Sequence, residues 1–93
     1  MKIVDRRKSL EACTESGWDA FDLLTEEALS DEDIEGMRGT GGSFLYMKQL
    51  KKPFFKIESH NFVIKGVRGD SFFRYALHRD AMEGLEAFVK KFS

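Results

Sequence analysis

The residues with the clearest chemistry in this sequence are phenylalanines and cations that alternate within short runs of its second half. Phe54 alternates with Lys56, Phe72 alternates with Arg74, and Lys65 lies in the run between them. If these runs are strands, each alternating pair lies on one face, because successive side chains of a strand point to opposite faces. Aromatic rings stack on bases and cations hold phosphates, so the pattern is typical of a surface for single-stranded nucleic acid.

We therefore predict a binding face on which aromatic rings supply contact area and cations fix the position of the ligand. Tyr46 and Lys48 alternate in the same way one run earlier and are added to the set. The predicted binding face consists of Tyr46, Lys48, Phe54, Lys56, Lys65, Phe72 and Arg74.

The distribution of charge offers an alternative in which this face binds no ligand. Residues 11–38 carry a net charge of −9 and residues 39–79 a net charge of +6, although the whole chain carries only −1. Acidic N-terminal helices would then cover the basic face, with Asp19, Asp22 or Glu26 pairing with its cations. Whether that cover exists decides between a buried face and a binding face.

An acidic run resembles the first half of a calcium-binding loop. Asp31, Asp33 and Glu35 supply oxygen ligands at the first, third and fifth positions, and Gly36 stands at the sixth. The twelfth position requires a bidentate glutamate, and here it is Gly42. We therefore expect a capped acidic turn and no metal.

The remaining reactive residue types form no catalytic or metal-binding pattern. The glycine-rich run 39–43 lacks the lysine and hydroxyl residue that end a nucleotide-binding loop. Cys13 has acidic neighbours, which oppose a thiolate, and His60 and His78 lack the short spacing of zinc ligands. We predict no catalytic residue, no metal site and no cofactor.

The periodicity of the first half indicates helices. Ser9–Ser16 begins with a capping serine and ends before a glycine, and Trp18–Leu29 repeats apolar residues at spacings of three and four. Ser30 can cap an acidic turn that runs to Arg38. The prediction is a helical segment over residues 1–38, followed by a glycine-rich hinge at 39–43.

The second half changes to strand-like runs. Residues 44–50, 54–59, 62–67 and 71–78 are rich in aromatic and β-branched side chains. Turns of two or three residues separate them, which predicts a four-stranded antiparallel meander over residues 44–79. Residues 80–93 carry one apolar stripe at helical spacing and should pack on the dry face of the sheet.

The predicted fold class is α+β, with N-terminal acidic helices, the four-stranded meander and a C-terminal helix on the sheet. A chain of 93 residues fits a single domain, 1–93. One cysteine excludes an internal disulfide, and the absence of 18 consecutive apolar residues predicts no membrane span. We expect a cytoplasmic protein.

The predicted function is a small non-enzymatic binding or adaptor domain that acts through the basic, aromatic face or an edge strand. Exposed edges of a meander favour pairing, so a protein partner or a homodimer is the first expectation. Single-stranded nucleic acid on the same face is one alternative. Another is a small enzyme or ligand carrier with a pocket between Trp18, residues 39–43 and His78.

Overall fold

The structure, a computed structural model, describes residues 1–9 and 17–93. Its strands are β1 (Ile3–Lys8), β2 (Trp18–Thr25), β3 (Ser43–Met47), β4 (Phe54–Glu58), β5 (Phe62–Val67) and β6 (Phe72–His78). Its helices are α1 (Asp31–Gly36) and α2 (Met82–Lys91). Short 3₁₀ turns follow α1 at Arg38–Thr40 and precede α2 at Arg79–Ala81.

The six strands form one antiparallel sheet in the order β1-β2-β6-β5-β4-β3. The α+β class and the meander β3 to β6 are therefore confirmed. The sheet is larger than predicted because β2 pairs with β6, which brings the hairpin of β1 and β2 into the same sheet. The outermost strands among the described residues are consequently β1 and β3, and β6 is an interior strand.

The predicted acidic helix at Trp18–Leu29 is wrong, because most of that segment is strand β2. Trp18 and Leu24 point to one face of the sheet and Phe21 points to the other. An interior strand carries apolar residues on both faces, so their combined spacing of three imitates a helix. The other predicted helix, Ser9–Ser16, falls almost wholly outside the described residues, and the chain before it forms β1.

Both helices pack on one side of the sheet, which we call the core face and which carries Leu23, Phe55, Ile64, Phe73 and Tyr75. From α2, the ring of Phe88 lies 5.9 Å from that of Phe73 and 5.3 Å from that of Tyr75, measured between ring centres. Ile34 of α1 and Met37 after it are buried in the same cluster. The prediction of a C-terminal helix packed on the sheet is confirmed.

The capped acidic turn is also confirmed, as helix α1. The Ser30 hydroxyl accepts a hydrogen bond from the Asp33 backbone N–H at 3.1 Å, and the Ser30 backbone N–H donates to the Asp33 carboxylate at 3.0 Å. Burial alone would raise the pKa of Asp33, but the hydrogen bonds with Ser30 and the N-terminal ammonium, 2.9 Å from the carboxylate, together hold the pKa below its ordinary value. This reciprocal cap fixes where α1 begins.

Gly84 is a position in α2 at which the fold can be made more stable. It is exposed, and a Cβ added there would meet no atom within 4 Å. Gly84→Ala should therefore raise the free energy of unfolding by about 0.5–1 kcal/mol, since alanine loses less backbone entropy in a helix than glycine. Urea denaturation would measure the gain, and a loss of stability would contradict this placement of the residue.

Candidate functional site

The face of the sheet opposite the helices is the candidate site, and we call it the open face. Because α1 and α2 both pack on the core face, no helix among residues 1–9 and 17–93 covers this side. The acidic helices that would have buried it are not found at 17–29, where the chain forms β2. The open face therefore presents side chains from all six strands.

A single row of side chains crosses the open face, one from each strand. Lys65 lies directly opposite Lys56 on one side and Arg74 on the other. Arg74 lies opposite Asp22, which lies opposite Arg7. In order across the sheet the row reads Arg7, Asp22, Arg74, Lys65, Lys56 and Leu45.

Three neighbouring cations in this row are unfavourable for the fold. Adjacent strands are about 4.8 Å apart, and like charges directly opposite each other are destabilising by a few tenths of a kcal/mol. Arg74 is compensated by Asp22 at 3.4 Å, and Lys56 by Glu58 at 3.4 Å. Lys65 is exposed, and its ammonium group forms neither an ion pair nor a hydrogen bond with any residue that the structure describes. Positive potential is thus least neutralised at the centre of the row.

Two aromatic rings flank the row on one side. Phe54 and Phe72 stand two residues before Lys56 and Arg74 on their strands, and so on the same face. Both rings line a depression of about 170 Å³ whose wall also includes Lys65 and Arg74. Phe72 is 43% exposed, so its ring is accessible to a ligand.

A third aromatic ring, Trp18, stands on the other side of the row. Its ring meets that of His78 edge to face, with the ring centres 6.2 Å apart. Trp18 lines a depression of about 410 Å³ together with Lys56, Lys65 and His60. Lys65 therefore belongs to both depressions, with aromatic walls on either side of one cation.

The structure brings five of the seven residues of the predicted binding face together on the open face: Phe54, Lys56, Lys65, Phe72 and Arg74. It does not bring Tyr46 there. Tyr46 lies opposite the buried Phe55 and packs against the core, so the open-face residues of β3 are Ser43, Leu45 and Met47.

Lys48 is likewise drawn to the helix side of the sheet. Its ammonium nitrogen lies 3.4 Å from a carboxylate oxygen of Asp31 and 3.7 Å from one of Glu35, both in α1. The hydrogen bond from Arg38, together with the charge of Lys48, holds the pKa of Glu35 below its ordinary value. Lys48 therefore lies beside α1 and not on the open face.

Sequence reasoning missed Trp18, Arg7 and Leu45 as residues of this face. The available signal was a period of two through Trp18, Ala20, Asp22 and Leu24, which the apolar residues of the opposite face obscured. Recognising it would have required knowing that β2 lies between two other strands.

Three findings on the described residues concern the metal site, the pocket and the membrane span. No three His, Cys, Asp or Glu side chains among residues 1–9 and 17–93 gather where they could hold a metal ion, and Cys13 lies outside these ranges. Trp18 and His78 do pack together, but no residue of 39–43 lines the depression beside Trp18. No helix in this part of the chain has the length and apolar character needed to cross a membrane.

Comparisons with known proteins do not supply a function. The chain matches no protein-family model, no curated protein and no solved structure. Its function therefore has to be argued from the chemistry of the open face.

Proposed function

We propose that this chain is a non-enzymatic binding module whose open face holds single-stranded nucleic acid. The observation that carries the proposal is the position of Lys65. It stands between two further cations in register, has no anionic partner in the described chain, and lines both aromatic depressions. A phosphate group would supply the anionic partner of Lys65, and the bases on either side of that phosphate would contact aromatic rings.

The spacing of the face suits a nucleotide strand. Phe54 and Phe72 are one side-chain row away from the cations, which is about 7 Å along a strand. A base can therefore stack on a ring while its own phosphate contacts the row of cations. Each such stack is worth about 1–3 kcal/mol and is tolerant of sequence, because every base has a π-face.

A single strand fits this face better than a duplex does. Rings on the flat surface of a sheet are reached by unstacked bases, and a duplex keeps its bases stacked inside. The small residues Ala20 and Ala76 lie opposite each other between the cationic row and Trp18.

The charge of the face sets a modest affinity. Asp22 and Glu58 already compensate part of the row, and the chain as a whole carries −1. At most three phosphates can be neutralised, by Lys65 and, where they exchange their present anionic partners, by Lys56 and Arg74. The logarithm of the affinity should then fall with the logarithm of salt concentration with a slope of about −2, a loss of roughly 20-fold between 50 and 200 mM.

Trp18 makes the proposal directly testable, because it is the only tryptophan of the chain. A mixed-sequence oligonucleotide of about 12 nucleotides should quench its fluorescence on titration, since bases stack on exposed rings. The same oligonucleotide annealed to its complement should bind more weakly. Absence of binding at low salt by both fluorescence and anisotropy of a labelled strand would exclude the proposed function.

Substitutions test whether the oligonucleotide binds to the open face. Lys65→Ala should weaken binding about fivefold near 0.1 M salt and make the salt slope shallower by about 0.7. Phe72→Ala should weaken it by about 5- to 100-fold. The matched control is Lys90→Ala, an exposed cation on α2, which should leave affinity unchanged. Equal losses for Lys65→Ala and Lys90→Ala would contradict the site, and binding of poly-glutamate in place of the oligonucleotide would indicate an acidic protein partner.

A further inference from the structure

The two outermost strands that the structure describes differ sharply in charge. β1 ends in four charged residues, Asp5 to Lys8, whereas β3 consists of the uncharged sequence SFLYM. Charged side chains on an edge strand oppose pairing with another chain. β1 is therefore protected and β3 is not.

The exposed side chains of β3 are Ser43, at its start, and Leu45, at its middle. On the core face, the guanidinium carbon of Arg38 lies 4.2 Å from the centre of the Phe44 ring, so the 3₁₀ turn after α1 shields that side. Leu45, at the middle of the strand, is 50% exposed on the open face. A second chain paired with β3 would remove both the outer backbone groups of this strand and the large apolar side chain of Leu45 from water.

We propose that β3 pairs antiparallel with β3 of a second copy of this chain, which joins two sheets into one of twelve strands. A two-fold axis normal to the sheet places the residue at the axis directly opposite its own copy. Centred on Leu45, the pairing sets leucine against leucine and Phe44 against Tyr46, with no charge opposed to a like charge. Centring on the middle of β1 would oppose Asp5 or Arg6 to itself, which costs stability.

Pairing at β3 keeps both open faces on the same side of the joined sheet. Leu45 is the last member of the cationic row, next to Lys56. The rows of the two copies would therefore meet through the two leucines and continue in one line. The proposed dimer is argued from the uncharged outer strand β3 and does not depend on which ligand binds to the open face.

The interface is small, so the dimer must be sought at high concentration. Five residue pairs bury less than the roughly 1,200 Å² of a standard stable interface. A dissociation constant in the micromolar range or weaker follows, and sedimentation equilibrium should extend to about 0.3 mM. The expected result is a mass that rises from 10.7 kDa towards twice that value with concentration.

Two matched substitutions locate the interface. Leu45→Lys brings two ammonium groups together at the axis and should keep the chain monomeric while leaving thermal unfolding nearly unchanged, since the side chain is half exposed. Val4→Lys, on the β1 edge at 55% exposure, should dimerise like the parent chain. A parent chain that stays at 10.7 kDa throughout, or a dimer lost in Val4→Lys and retained in Leu45→Lys, would overturn the proposal.

Discussion

Phe73→Ala should lower the free energy of unfolding by about 3–5 kcal/mol, whereas Phe72→Ala should lower it by about 1 kcal/mol or less. The two residues are neighbours in β6 and point to opposite faces. Phe73 is fully buried, with its ring centre 6.4 Å from that of Phe55 and 5.9 Å from that of Phe88. Its removal leaves a cavity, while truncation of the exposed Phe72 leaves none.

Urea denaturation of the two variants measures this difference, and the same pair separates stability from binding. Phe72→Ala should keep the fold and lose oligonucleotide affinity. Because Phe73→Ala removes a large part of the typical stability of a domain, Phe73→Leu supplies a milder second point. Similar losses for Phe72→Ala and Phe73→Ala would mean that the core face and the open face have been assigned incorrectly.

Gly42→Ala should lower the free energy of unfolding by about 2–4 kcal/mol. Gly42 precedes β3 with a φ of +80°, a region that side chains with a Cβ rarely adopt. An added Cβ would lie 2.2 Å from the backbone oxygen of Glu58, at the end of β4. Backbone atoms cannot yield as a flexible side chain does, so the first residue pairs of β3 and β4 must separate.

Gly69→Ala is the control for Gly42→Ala. Gly69 also has a positive φ, +98°, but a Cβ there would meet nothing within 4 Å. Its substitution should therefore cost only the backbone strain, about 1 kcal/mol. Thermal and urea denaturation of both variants give the comparison, and equal costs would show that the close approach to Glu58 is not what requires glycine at position 42.

The second half of the fold could be predicted from sequence because its signals are local. Pro53, Asn61 and Gly69 mark the turns, and the runs between them pair with their neighbours in the chain. The cap at Ser30 and the apolar stripe of α2 are equally short-range. Five of the seven predicted face residues followed from alternation within these strands.

The first half could not be predicted because its structure depends on a distant partner. Asp22 and Arg74 are in contact although they are 52 residues apart in the sequence, and no pattern within β2 indicates that contact. The prediction of which β3 side chains lie on the open face was wrong for a similar reason. Both sets of alternating side chains in that strand contain large apolar residues, and it is Phe44 and Tyr46 that pack against the core, whose residues come from distant parts of the sequence.

The pairing of β2 with β6 has a consequence for how the chain reaches its native state. The seam between β2 and β6, the second of the five in the sheet, joins a hairpin from about the first quarter of the sequence to the last strand. During synthesis, the apolar side chains of β2 lack these neighbours until β6 has been made. Strands far apart in the sequence pair slowly, so the pairing of β2 with β6 should govern the folding time. Its opening would separate the hairpin of β1 and β2 from the four-stranded meander.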